Sequence, residues 1–281
     1  LKYPMNILFL GDLVGESIVP FLEKNLPSII KKYNISFVIV NGENLANGYG
    51  TTPALCEKLF DLGINVISSG NHIWDQEAII PYIAKQNNLL RPVNYDNKFP
   101  GKGIGSFTDK KGKKIIVINI LCNLFMQKSN NAFVEIKKIL NNFKLKDNCD
   151  AIFIDLHGEA ASEKQAFAFM VDGKVTAVLG THTHVPTSDL RVLPKGTAYQ
   201  TDTGMCGDYD SVIGGDKNSW IQKFEKDNSF KRINASINNI ALCGAIIKVN
   251  ENNGLCSLTE QIIVGEVLKN NIPSEKSFIV K

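Results

Sequence analysis

Disulfide density, long apolar runs and a surplus of either charge are all missing from this chain of 281 residues. The six cysteines, Cys56, Cys122, Cys149, Cys206, Cys243 and Cys256, lie far apart without a C-x-x-C pair. That excludes a small disulfide-stapled scaffold and reads as reduced core thiols. No stretch approaches the ~20 apolar residues of a membrane span, and Asn6, Gly11 and Asp12 interrupt the first apolar segment, unlike a signal peptide. A cytoplasmic protein with no membrane contact is expected. Lys+Arg 31 against Asp+Glu 28 leave only +3, spread along the chain, so nothing marks a nucleic-acid surface and at most a small oligonucleotide could be a substrate. Histidine is scarce, with 4 in all. What is present, 44% hydrophobic and 21% charged residues, describes an ordinary folded protein.

Short apolar runs of strand length recur, and early in the chain each leads through a turn into a helix-period segment. Strands are expected over 6–10, 36–40 and 65–69, with helices over 18–32, 53–62 and 75–85. Further strands are expected over 114–120, 151–156 and 176–179, and helices near 133–146 and 162–170. From Ala198 the pattern turns to strands, with 240–249 and 257–264 facing each other as a hairpin. The alternation predicts a layered α/β fold with a mainly parallel sheet at its start and a second sheet later. Nothing divides the chain, so 1–281 is expected to form one domain, with 274–281 a frayed tail.

Chemistry collects at the ends of the apolar runs. Five of them finish in metal-capable side chains: Asp12; Glu43 and Asn44; Asn71 and His72; His157; His182 and His184. The carboxyl ends of parallel strands share one edge, where α/β proteins bind ligands, so these residues can converge. An i, i+2 pair such as His182 and His184, in an extended segment, would point both rings to one side. Three imidazoles, two carboxylates and two amide oxygens exceed what one four-coordinate zinc uses, and they suit two ions of iron, manganese or zinc. No cysteine belongs to the set, which argues against a thiolate zinc site or an iron–sulfur cluster.

In this order the motifs resemble those of the calcineurin-like metallophosphoesterases. Within that superfamily the strings Phe9-Leu10-Gly11-Asp12, Asn41-Gly42-Glu43-Asn44, Gly70-Asn71-His72-Ile73-Trp74-Asp75, Asp155-Leu156-His157 and Gly180-Thr181-His182-Thr183-His184 are similar to those of the YmdB family, from Met5 to at least Gly265. The resemblance implies a four-layer α/β/β/α sandwich with the metal site at the carboxyl ends of the strands. It implies that Asp12, Asn44 and His184 hold one ion and Asn71, His157 and His182 the other, with Glu43 bridging. His72 stays free of metal and acts on the phosphate or the leaving group. Three features depart from the wider superfamily: Val14 stands where D-x-H has its histidine, the second carboxylate is the glutamate Glu43, and Ile73 stands where an acid commonly follows G-N-H. The YmdB family shares a glutamate as second carboxylate and Asn44 beside it. Asp75 is the remaining acid that could orient His72.

The activity so implied is hydrolysis of phosphodiesters, cyclic nucleotides such as 2′,3′-cyclic AMP in particular, by a hydroxide bridging two divalent or mixed-valence ions, iron first, manganese or zinc second. A phosphomonoesterase acting on nucleotides or phosphoproteins, and a metal-dependent regulatory protein that binds a nucleotide or partner without turnover, are the alternatives, and a homo-oligomer is an open option. Asp155, Glu159 and Glu163 read as flanking groups facing solvent or backing the site. Asp202, Asp208, Asp210 and the glycines from 204 to 215 read as a loop bordering it. Trp74 reads as packing, and Gly101-Lys102-Gly103 as a plain turn.

Overall fold

Two-residue alternation sets which way each strand faces, and the helical period sets what covers it. The computed structural model describes residues 5–226 and 232–279. The first third runs β1 (Met5–Val14), α1 (Ile18–Lys32), β2 (Phe37–Asn44), α2 (Pro53–Asp61), β3 (Val66–Ser68) and α3 (Ile79–Ile83). The middle runs β4 (Ile104–Thr108), β5 (Lys114–Leu121), α4 (Ala132–Leu140), β6 (Ala151–His157), α5 (Ala161–Val171) and β7 (Ala177–Thr181). Short strands β8 (Arg191–Val192), β9 (Ala198–Gln200) and β10 (Gly207–Asp208) precede α6 (Lys217–Lys226) and the hairpin of β11 (Ile240–Val249) and β12 (Cys256–Val264).

The strands form two six-stranded sheets. One has the order β10-β11-β1-β2-β3 with β12 on β11, and the other β4-β5-β6-β7-β9-β8. β1, β2 and β3 run parallel, as do β5, β6, β7 and β9, while β11 joins β1 antiparallel. Ile7, Phe9, Phe37, Ile39, Ala151, Phe153, Ala177 and Leu179 share one buried cluster that draws on both sheets. Their neighbours Leu8, Leu10, Val38 and Val40 pack instead with Ile18, Leu22, Leu26 and Ile29 of α1, which recur at helical spacing. Ile152 and Ile154 pack with Ile136 of α4 and Phe167 of α5. The expected mixed α/β fold with two sheets is therefore present.

Three expectations change. The helix expected over 75–85 shrinks to α3, because the preceding backbone is used in turns: Asp75 N–H donates to the His72 carbonyl (3.0 Å) and Ile79 N–H to that of Gln76 (3.0 Å). The strand-rich reading after Ala198 misses α6, none of whose residues is buried, so no apolar core period announces it. The stretch expected to fray is tied down as far as Phe278, which is buried against Tyr33 with ring centroids 5.8 Å apart and accepts a hydrogen bond at its carbonyl from Asn6 Nδ2 (3.1 Å). Residues 280 and 281 lie outside the described residues.

All six cysteines are buried free thiols, and burial pushes those of Cys56, Cys122, Cys243 and Cys256 up to about 12. Among the described residues no helix is long and apolar enough to cross a membrane. Between the two sheets Phe9 packs against Phe153, with ring centroids 4.9 Å apart. Phe9→Ala is expected to cost ~3–5 kcal/mol, the usual loss for a buried aromatic, read as a lower urea midpoint. A midpoint equal to that of the parent would show that this contact does not hold the sheets.

Candidate metal centre

The inward-facing rows of the strands begin apolar and end polar. On β2 the row is Phe37, Ile39, Asn41, Glu43; on β6 it is Ala151, Phe153, Asp155, His157; on β7 it is Ala177, Leu179, Thr181. The same alternation that fills the inter-sheet core thus brings Glu43, His157 and their neighbours together where the strands end. β1 reaches the same place through register shifts on either side of Asp12, the kind of irregularity that re-aims a side chain. Asp12, Glu43, Asn44 and His157 consequently lie within strands longer than expected, rather than just after them.

The histidine pair departs from expectation. β7 ends at Thr181, and His182 and His184 have φ of 106° and 66°, so their convergence comes from a bent loop, not from strand alternation. Beneath that loop the buried Lys164 ammonium donates to the Thr181 carbonyl (2.8 Å) and to Asp202 Oδ2 (3.0 Å). Asp202 accepts the Thr183 N–H (3.0 Å) at the same oxygen.

Each carboxylate has one oxygen fixed and one bare. Asp12 Oδ2 accepts the His182 N–H and Glu43 Oε2 the His72 N–H, both at 3.1 Å. Asp12 Oδ1 and Glu43 Oε1 are buried without a hydrogen-bond partner among the described residues. The amide of Asn44 is fixed by donation from Nδ2 to the Gly48 carbonyl (2.9 Å), which leaves Oδ1 facing His184 Nε2 at 3.3 Å.

The histidine tautomers follow from what each ring touches. His184 Nδ1 lies 2.8 Å from the Ile213 carbonyl, which can only accept, so Nδ1 carries the proton and Nε2 a bare lone pair. His182 Nε2 faces Glu159 Oε2 at 3.3 Å, which leaves Nδ1 bare. His157 Nδ1 lies 2.9 Å from Thr181 Oγ1, whose own proton goes to Asp155 Oδ1 at 2.7 Å. Because the hydroxyl spends its proton on the carboxylate, it accepts from His157, and His157 Nε2 is bare. Asp155 Oδ2 in turn accepts from Ser68 Oγ (2.5 Å) and Asn41 Nδ2 (2.8 Å), across the two sheets.

Lone pairs therefore crowd against lone pairs. His157 Nε2 lies 2.9 Å from Glu43 Oε1 and 3.1 Å from both Asn71 Oδ1 and His182 Nδ1. Donor atoms of Glu43, His157 and His182 all fall within 4.8 Å of one another. Beside them a second nest holds Asn44 Oδ1, His184 Nε2 and Asp12 Oδ1, the last 3.9 Å from His184 Nε2. One proton cannot satisfy so many acceptors, whereas a cation can, and mixed nitrogen and oxygen donors fit a divalent transition metal. A Cβ on Gly70 would overlap Glu43 Oε2 and His157 Nε2, so only glycine leaves this space free.

Electrostatics agree in direction. Burial opposes charge on His157, yet Glu43 and Asp12 lift its pKa to about 9. Burial, then His157, hold His182 down to about 3. Burial raises Asp12 to about 6 against His184 and His157, whereas at Glu43 the pull of His157 outweighs burial and leaves the carboxyl at about 2. A field that draws a proton to His157 also favours a cation at that point.

His72 stands apart from both nests. Its Nδ1 lies 3.1 Å from Asp75 Oδ2, which also takes Arg232 Nη2 at 2.8 Å, and its ring meets the Tyr49 ring edge-on at 5.4 Å. Asp75 is therefore in reach despite the three-residue separation. A cavity of about 380 Å³ opens beside His72, His182 and His184 and extends past Tyr49 to Trp220. Trp74 packs against Phe99 (5.6 Å), as expected. Sequence reading left Thr181 without a role and the Ile213 carbonyl unseen, since both act only through contacts between distant segments.

The profile of the YmdB-like protein family matches residues 8–262. The chain belongs to that family. It is 37% identical to a Bacillus subtilis protein named 2′,3′-cyclic-nucleotide 2′-phosphodiesterase, over 93% of this chain and 98% of that one. It is 38% identical to a Mycoplasma genitalium protein named putative phosphatase/phosphodiesterase, over 97% and 95% of the two chains. A solved structure described as a novel phosphatase from Mycoplasma pneumoniae superposes with a TM-score of 0.86 at 36% identity, covering 94% of this chain and 95% of that one.

The relay from Asp155 through Thr181 to His157 can be tested without any substrate. An amide at 155 that donates to Thr181 would turn the hydroxyl proton towards His157 Nδ1 and move the imidazole proton to Nε2, into the nest. Asp155→Asn and Thr181→Val are expected to weaken metal binding ~10–100-fold, as loss of a ligand's supporting partner commonly does, whereas Thr181→Ser retains it. Bound metal measured by elemental analysis on folded protein decides, and parental affinity in Thr181→Val would remove the relay.

Proposed function

We propose that this chain is a dinuclear metal-dependent phosphodiesterase that hydrolyses small cyclic nucleotides such as 2′,3′-cyclic AMP. The observation carrying the reading is the pair of lone-pair nests with Glu43 beside the bare His157 Nε2. Asp12, Asn44 and His184 would hold one ion, Asn71, His157 and His182 the other, and Glu43 would bridge. Iron is the first candidate, with manganese or zinc next. The reading places the centre at the carboxyl ends of the strands of a four-layer α/β/β/α sandwich, formed as one domain over 1–281 in the cytoplasm. Support for the substrate class comes from the name of the Bacillus subtilis relative. The phosphatase description of the Mycoplasma pneumoniae structure makes a phosphomonoesterase the reading to test against.

When bound, two divalent ions supply Lewis-acid polarisation of the phosphoryl group and acidify water. The chain's own residues orient and protonate. Asp75 holds His72 through Nδ1, which leaves Nε2 to donate a proton to the departing alkoxide. Arg232 limits the freedom of Asp75 by pairing with the same oxygen. Glu43 holds the backbone of His72 through its N–H, so one carboxylate fixes both the proposed bridge and the loop bearing the proposed acid.

Two measurements test the reading. Purified protein is expected to carry close to two metals per chain and to turn over 2′,3′-cyclic AMP faster than a simple monoester. Faster monoester turnover would favour the phosphatase, and two metals with no ester turnover the binding protein. His72→Ala is expected to keep both metals and slow turnover by ~10²-fold or more, with a smaller loss for a nitrophenolate leaving group that hardly requires a proton. Equal losses for good and poor leaving groups would exclude proton donation, and loss of metal would make His72 a ligand.

A further inference from the structure

The cavity beside the nests is chemically two-ended. One end presents Glu43, Asn44, His72, His182 and His184; the other presents Ile213, Trp220, Ile233 and Ala235, with Tyr49 between them. Ile213, Trp220, Ile233 and Ala235 bring no charged side chain to the cavity wall, while the Lys223 ammonium lies over the Trp220 ring and the Arg232 guanidinium over that of Tyr49. The apolar and aromatic surface of this end suits a neutral flat ring, which loses water there favourably.

The second end is also built from parts that the three core clusters do not use. No residue of α6 is buried, yet its Trp220 is held in place. The ring stacks on Phe224 with centroids 5.7 Å apart and carries Lys223 Nζ 4.6 Å from its centre. Gly215 fits against it so closely that a Cβ there would come within 2.5 Å of the indole Nε1 and 3.1 Å of Ile233 Cγ2. Trp220 Nε1 makes no hydrogen bond among the described residues. The indole lines the cavity, and its N–H is a donor that an acceptor on a ligand can use.

Resting on the phosphodiesterase reading, we propose that this apolar end receives the nucleobase of the substrate, and that Trp220 is its specificity-determining residue. The phosphate lies at the nests, the ribose passes Tyr49, and the base sits against Trp220 with a ring nitrogen or carbonyl accepting from Nε1. The loop that forms this wall also holds the centre, since the Ile213 carbonyl fixes His184 while the Ile213 side chain lines the cavity.

The test compares a substrate with a base to one without. Trp220→Ala is expected to lower kcat/KM for 2′,3′-cyclic AMP by ~10-fold or more relative to ribose 2,3-cyclic phosphate, chiefly through KM. Trp220→Phe should recover part of the loss. Equal changes for both substrates would overturn the proposal. A parent protein inactive on both would instead defeat the phosphodiesterase reading, and binding then decides the subsite separately. The chain has only 2 tryptophans, so in Trp74→Phe the fluorescence reports Trp220 alone. Saturable quenching by adenosine 3′-monophosphate, absent with ribose 5-phosphate, is expected; no quenching by the nucleotide would overturn the subsite.

Discussion

A single buried carboxylate, Asp155, couples the architecture to the centre. It stands on the inter-sheet row of β6, where alternation would otherwise place another apolar residue after Ala151 and Phe153. Burial raises its pKa, against His157 and the donors Ser68, Thr181 and Asn41. Those donors come from β3, β7 and β2, so one group draws four strands of two sheets to a common point. Removing a partner from so enclosed a network leaves a polar group without water or replacement, which is why such networks rigidify when complete and fail when partial. Sheet spacing and the direction of His157 are consequently one variable.

The loop bearing the histidine pair depends on a comparable device. Left-handed φ at two non-glycine residues costs of order 1–3 kcal/mol each and persists only where the surroundings over-determine it. Here the surroundings are the buried pair of Lys164 and Asp202 below, the Asp12 carboxylate on the His182 N–H, and the Ile213 carbonyl on His184. Charge is buried under the loop so that lone pairs can be presented above it.

How much of this was legible depends on the range of the cause. Local period gave the β-α-β start, α1, the hairpin and the second sheet. The order of Asp12, Glu43, Asn71, His157, His182 and His184 along the strands named the residues that the structure gathers. The register shifts around Asp12, the bend at His182 and the brevity of α3 were hidden, because each arises from pairing with segments far away in the chain. Thr181 lies inside the Gly180 to His184 string and Glu159 flanks His157, yet their part, like that of the Ile213 carbonyl, shows only when a ring nitrogen lies against them. α6 escaped because it serves no core, so the apolar stripe that reveals most helices is absent.

The scattered cysteines acquire a meaning from their burial. A thiol reacts as its thiolate, and burial raises the pKa of all six, to about 12 for Cys56, Cys122, Cys243 and Cys256, which leaves that form scarce near neutrality. Each of the six is also buried while the fold is closed. No cysteine belongs to the donor group of Glu43, His157 and His182, so this sulfur stands outside the candidate metal centre. In chemical terms the cysteines of the native molecule are silent towards electrophiles, and reaction there would report the opening of its interior.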